Sequence, residues 1–174
     1  GGRGPVTLVD RSPDQVAAAR AEEFEAVQGD ALDADVLIQA GIEDVSTLVA
    51  LTPNPEVNVL VVQRARERWL VPDLYALLPR EEDGGLFAVL DGLGGTVLFA
   101  RPADPAAWDE RIRDGATEVD TWTVGDEPDA ARSMASRLLG PDPLPLALRR
   151  GEVVRPFGGD LEPGDAVEVL QARA

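Results

Sequence analysis

The chain is 174 residues long and carries 16 basic residues, every one an arginine, against 32 acidic ones, for a formal net charge of −16. It has no His, Cys or Lys, which excludes disulfides, a Ser–His–Asp triad, a thiol nucleophile and any His- or Cys-liganded zinc, haem or iron–sulfur centre. The acid excess argues against nucleic acid as a partner, because phosphate binding needs clustered positive charge, while 44% hydrophobic residues suffice for a real core.

Gly1-Gly2-Arg3-Gly4-Pro5 leads straight into a strand-like run, Val6 to Asp10, with no signal-peptide pattern. Ser12-Pro13-Asp14-Gln15 is a helix start, with Ser12 as N-cap, Pro13 at the first helical position and Gln15 closing a capping box. Phe24 to Gln28 reads as a second strand ended by Gly29-Asp30, and Asp33 caps a short helix ending at Gly41. Thr47 to Leu51 is a continuous apolar run of the kind buried on both faces of a parallel sheet. Thr52-Pro53-Asn54-Pro55 breaks it, and a helix follows from Glu56 to Trp69. A strand over Asp73–Leu78, a helix over Leu86–Leu93, a strand over Thr96–Phe99 and an Asp104-capped helix to Arg113 continue the alternation. The most apolar stretch, Val57 to Val62, falls far short of the roughly 18 apolar residues a membrane span needs. Strands and helices alternating at this spacing predict βαβ crossovers and a doubly wound parallel sheet over residues 1–115.

The pattern then changes. Residues 116–174 predict a small α+β module: a half-exposed strand over Glu118–Val124, a helix over Glu127–Leu139, a hairpin turning at Gly151, and a last strand over Ala166–Leu170.

Several residues invite a functional reading beside a structural one. Asp10 ends a strand where an acid can accept hydrogen bonds from ribose hydroxyls, or it simply assists the following cap. Gly29-Asp30 can face an adenine or make a turn. Asn58, one turn into its helix, can border a phosphate or bond to its own loop. Glu81-Glu82-Asp83 and Asp126-Glu127-Asp129 lack EF-hand spacing and read as solvated surface rather than Ca²⁺ or Mg²⁺ ligands. Arg149-Arg150 can hold an anion or flank a hairpin turn. No pair of acids is placed for general acid–base work, and no metal site is expected.

Taken in order, Val-Thr-Leu-Val-Asp10, Gly29-Asp30-Ala31, Leu37 to Ile42, Leu51-Thr52 and Glu56-Val57-Asn58 resemble the regulator of K⁺ conductance (RCK) family. Leu144 to Gly151, Pro156 and Leu161-Glu-Pro-Gly-Asp165 resemble that family's C-terminal ligand-binding subdomain. The resemblance implies a truncated Rossmann-like domain followed by that subdomain. It implies a cytosolic, dimerising, ligand-sensing module attached to a K⁺ channel, transporter or cation/proton antiporter in the membrane. By the same resemblance, Asp10 is the ribose-binding acid, with Arg11 beside the adenosine and Asp30 at the adenine turn. Thr52 and Asn58 border the nucleotide, which would be NAD or an adenine nucleotide.

The family's Gly-rich phosphate loop has no counterpart here; it belongs about 30 residues before Asp10. We therefore expect weak or no binding of NAD or ATP, and a first strand lying upstream in a longer transporter polypeptide. Two other arrangements are open: direct pairing of the strands that flank the absent one, or a strand supplied by a neighbouring chain. Absence of His, Cys and Lys argues for sensing over catalysis. The alternatives are the remnant of a nicotinamide-dependent oxidoreductase and a domain kept only for oligomer contacts.

Overall fold

The computed structural model describes residues 5–78, 84–101 and 103–173. Gly1, Gly2, Gly4 and the Glu81-Glu82-Asp83 cluster lie outside them. The first part alternates as the sequence predicts: β1 (Thr7–Asp10), α1 (Pro13–Ala21), β2 (Glu25–Gln28), α2 (Ala34–Gln39), β3 (Thr47–Ala50), α3 (Pro55–Arg64), β4 (Asp73–Ala76), α4 (Gly84–Gly92), β5 (Thr96–Val97) and α5 (Pro105–Arg113). All strand pairs here are parallel, β1 with β2 and β3 with β4 with β5.

These strands form two sheets rather than one, β1-β2 and β3-β4-β5. β1 pairs only with β2 and β3 only with β4, so among the described residues each keeps an unpaired edge. Direct pairing of the two strands is therefore not the arrangement adopted. The expectation that Thr47–Leu51 is buried on both faces also fails: Val49 is 41% and Leu51 52% exposed. A strand of a parallel sheet is covered by neighbours on both edges and helices on both faces, and β3 has only part of that cover. Leu8 of β1 is exposed for the same reason, whereas Ala26 and Val27 of β2 are buried.

Local chemistry sets the helix starts. Ser12 Oγ accepts from Gln15 N–H (3.4 Å), with Pro13 at the first helical position. The predicted capping box is not closed by Gln15, because the Ser12 N–H donates to Asp10 Oδ1 instead (2.8 Å). Asp33, Asn54 and Asp104 cap α2, α3 and α5 in the same way. Beyond Arg64 the long predicted helix widens into a π-helical turn, Ala65–Trp69. The main core of this part gathers Leu37, Val59, Val62, Leu74, Leu78 and Leu90 between the three-stranded sheet and its helices.

The second part is an antiparallel sheet in the order β6-β9-β7-β8. Its elements are β6 (Thr117–Thr123), α6 (Ala130–Leu138), β7 (Leu144–Arg150), β8 (Val153–Pro156) and β9 (Ala166–Ala172). Gly151 (φ +60°) turns the β7–β8 hairpin in the left-handed region that favours glycine. Met134 and Leu138 of α6 close one face over Val124, Leu148, Phe157, Val167 and Val169.

The two parts share a seam. β5 stops at Val97, short of the predicted Phe99, and the chain turns through Phe99 (φ +67°) and Ala100 (φ +55°). The Phe99 N–H donates to the Phe157 carbonyl (2.9 Å), tying this turn to the second part. Tyr75, Leu77, Leu98 and Trp108 from the first part pack with Leu144 and Leu170 from the second. Gly158 fits where a Cβ would stand 2.5 Å from Thr96 Cγ2.

Candidate functional site

Ligands of open α/β sheets bind outside the carboxyl ends of the strands, and those ends carry Asp10, Arg11, Asp30 and Thr52, with Asn58 one turn into the helix that follows β3. At the end of β1, the Asp10 carbonyl accepts from Gly29 N–H (2.9 Å), which joins the β1 and β2 loops. Asp10 and Arg11 are both exposed. Asp10 Oδ1 is occupied by Ser12 N–H (2.8 Å), while its second oxygen takes no partner among the described residues. Asp10 thus steadies the α1 start and keeps an acceptor facing solvent. Gln28 Nε2 reaches the Arg11 carbonyl at 3.5 Å.

Gly29 is required by close approach: a Cβ there would lie 2.5 Å from Val36 Cγ2. That proximity brings α2 up against the end of β2. Asp30 folds its side chain back, Oδ1 accepting from Leu32 N–H (2.8 Å), so it makes the turn and remains exposed.

At the end of β3 the arrangement is more rigid. Asn58 is fully buried. Its Oδ1 accepts from the Thr52 N–H (2.9 Å) and the Thr52 hydroxyl (2.7 Å), and its Nδ2 donates to the carbonyls of Thr52 and Leu77 (both 2.9 Å). A carboxamide has two acceptor and two donor positions, and all four are used. Asn58 therefore acts on the site only by holding Thr52, and the Thr52–Leu77 network ties the β3 loop to the end of β4.

The structure thus forms two groups, Asp10–Arg11 with the Gly29–Asp30 turn, and Thr52 with Asn58. No hydrogen bond joins them among the described residues. The first group offers exposed acceptors, which suit hydroxyls and amino groups. The second offers a fixed loop at a helix start.

The other candidates resolve as structure. Arg150 does not hold a free anion. Its Nε and one terminal nitrogen form a bidentate pair with Asp165 (2.8 and 2.7 Å), and the other terminal nitrogen meets Glu162 (2.8 Å). Asp165 is 1% exposed and also accepts from Glu162 N–H (2.8 Å). The Arg150 guanidinium holds its carboxyl below the ordinary aspartate value. In the sequence Asp165 stands out only as the end of the Leu161–Asp165 stretch; its signal is an acid directly after Pro-Gly and before an apolar strand. Asp126, Glu127 and Asp129 are exposed, and no group of three potential metal ligands gathers among the described residues. No helix among those residues is long and apolar enough to cross a membrane.

Comparison with known proteins adds a family. The TrkA-N domain family matches residues 1–90, just over half of the chain. Among solved structures, the TrkA-N domain of the inner membrane protein YbaL from Escherichia coli is 18% identical, with a TM-score of 0.49, covering 64% of this chain and 77% of that one. The GsuK RCK domain is 13% identical (TM-score 0.40; 98% of this chain, 44% of that one). The GsuK channel bound to NAD is 14% identical (TM-score 0.46; 97% and 33%). The chain spans less than half the length of these two GsuK structures. No curated protein matches the sequence.

Proposed function

Starting from a chain that belongs to the TrkA-N domain family, we propose a ligand-sensing regulatory module of a cation transport protein, acting on K⁺ movement and not itself catalytic. The observation that carries this reading is the placement of Asp10, Arg11, Asp30 and Thr52 on loops at the carboxyl ends of parallel strands. This is where a doubly wound sheet binds a nucleotide.

The residues fit one end of NAD or an adenine nucleotide. The open oxygen of Asp10 suits ribose hydroxyls, Arg11 follows it in the chain, and the Gly29–Asp30 turn is joined to the end of β1 through the Asp10 carbonyl. The diphosphate end has no matching cradle, because no Gly-rich loop opening a helix occurs among the described residues. Binding by this stretch of chain on its own residues is therefore expected to be weak. Calorimetry with NAD and ATP should give saturable binding weaker than about 100 μM, lost on Asp10→Ala. Low-micromolar binding, or binding indifferent to Asp10→Ala, overturns the placement.

Sensing is favoured over hydride transfer because His, Cys and Lys are absent and the only tyrosine, Tyr75, is buried in the seam. Burial raises its phenol pKa, leaving it poorly suited to proton transfer. A regulatory module needs two conformations with different ligand affinity, and the seam between the two parts is the element that can shift. We further propose that the module works as a homodimer beside a membrane-embedded transporter, on the cytoplasmic face. Sedimentation should give a dimer at about 10 μM; a monomer at high micromolar concentration overturns this part.

A further inference from the structure

The far end of α3 carries side chains that the family reading does not use. After Arg64 the helix widens into the π-helical turn Ala65–Trp69, a distortion frequent at functional sites. It ends at Leu70, in the left-handed conformation and 75% exposed. Arg64, Glu67, Arg68 and Trp69, with Ala34 of α2, line an open cavity of about 510 Å³, within the size range of small-molecule sites. None of the loop residues discussed above lines it.

The three arginines of this stretch are used differently. Arg66 commits Nε and one terminal nitrogen, donating to the carbonyls of Leu93 (3.0 Å), Gly94 (3.2 Å) and Pro72 (3.3 Å), and so pins the π turn to the loops beside it. Arg64 and Arg68, four residues apart, share the opposite face. Arg64 spends one nitrogen on the Leu32 carbonyl, and the Arg68 guanidinium stacks over the Trp69 ring at 5.1 Å. Neither pairs with a carboxylate among the described residues, although the chain has 32 acidic side chains and only 16 basic ones. The one acid in the cavity, Glu67, accepts from Gln63 Nε2 (2.9 Å).

Two guanidinia with unused donors favour a phosphate or carboxylate, and an indole favours a flat apolar body. The geometry points to a binding site for a small anion with an aromatic or heterocyclic ring, its acid group between Arg64 and Arg68 and its ring at the exposed edge of Trp69, which otherwise packs on the main core and carries the Arg68 guanidinium over its ring. Arg64 joins this site to the loop after β2 through the Leu32 carbonyl, but none of Asp10, Arg11, Asp30 and Thr52 lines it, so the assignment does not depend on their reading.

The test is an NMR titration of the ¹⁵N-labelled chain with phenyl phosphate, read at the indole N–H resonances and assigned with Trp69→Phe. A saturable shift is expected at Trp69 and not at Trp122. Arg64→Ala and Arg68→Ala should each weaken binding about 10-fold, and Glu67→Gln should tighten it about threefold by removing a like charge. Inorganic phosphate should bind more weakly than phenyl phosphate, and benzyl alcohol should leave the resonance unmoved. An unchanged resonance for the buried Trp108 reports that each variant is folded. A Trp69 shift that does not saturate, that benzyl alcohol reproduces, or that survives both arginine changes overturns the assignment.

Discussion

Asn58 and Thr52 hold each other through three hydrogen bonds: the Thr52 N–H and hydroxyl both donate to Asn58 Oδ1, at 2.9 and 2.7 Å, and Asn58 Nδ2 donates back to the Thr52 carbonyl at 2.9 Å. A loop that follows an apolar strand is thereby fixed from beneath by a side chain that water does not reach.

Asn58→Leu should consequently destabilise the fold by about 2–4 kcal/mol, because it strands the Thr52 N–H and leaves the Leu77 carbonyl without this donor. Thr52→Val should cost about 1 kcal/mol, since only the hydroxyl is lost. Urea unfolding of the two variants measures both, and equal effects would contradict the hierarchy.

Gly29→Ala drives a methyl into Val36 and should cost about 1–3 kcal/mol. Val36→Ala in the same chain should recover part of that loss. A double-mutant cycle gives the coupling directly; purely additive effects would mean that the close approach is relieved elsewhere.

The Asp165–Arg150 pair makes stability depend on acid. Because Arg150 lowers the Asp165 pKa in the folded chain, the pair contributes fully above the unfolded carboxylate value of about 3.9 and is lost as pH falls through the lower native value. Asp165→Asn should lower the melting temperature by roughly 5 °C at pH 7, and the difference from wild type should close below pH of about 4. A difference that persists undiminished at pH 2 would place the effect in packing rather than in charge.

Hydrogen exchange should report the unequal cover of the strands. β4 is paired on both sides and β3 on one, so β3 amides should exchange about 10-fold faster or more than those of β4 under native conditions. Exchange at matching rates would show that the β3 edge is protected in solution.

The order of elements and their boundaries were legible because periodicity, caps and Pro/Gly punctuation act locally. Ser12-Pro13, Asp33 and Asp104-Pro105 each start a helix where sequence alone places it, whereas Asn54, read only as part of a break before Glu56, is the N-cap of a helix that begins at Pro55. Long-range pairing was less legible. The apolar composition of Thr47–Leu51 describes a strand made to be covered, and cannot say whether its neighbours are there. β5 ends early because Phe99 pairs with Phe157, 58 positions along the chain, a contact no local pattern encodes. At the site, residue types were legible and their duties were not: Asn58 and Arg150 look like ligand-facing side chains and spend their hydrogen bonds on the protein. Arg64 and Arg68 went unnoticed because each is unremarkable alone, and their relation arises from the shared helical face.

Among the described residues, the unpaired edges of β1 and β3 bear on how this stretch of chain behaves in company when nothing else covers them. An open strand edge flanked by Leu8, Val49 and Leu51 is a template on which another copy can add, and such growth has no built-in stop. A charge of −16 on every copy opposes that encounter at low ionic strength. Salt shortens the reach of this repulsion, from about 30 Å at 0.01 M to about 8 Å at 0.15 M. The acidity that says nothing about catalysis thus serves as colloidal insulation, and turbidity should rise with added salt rather than fall.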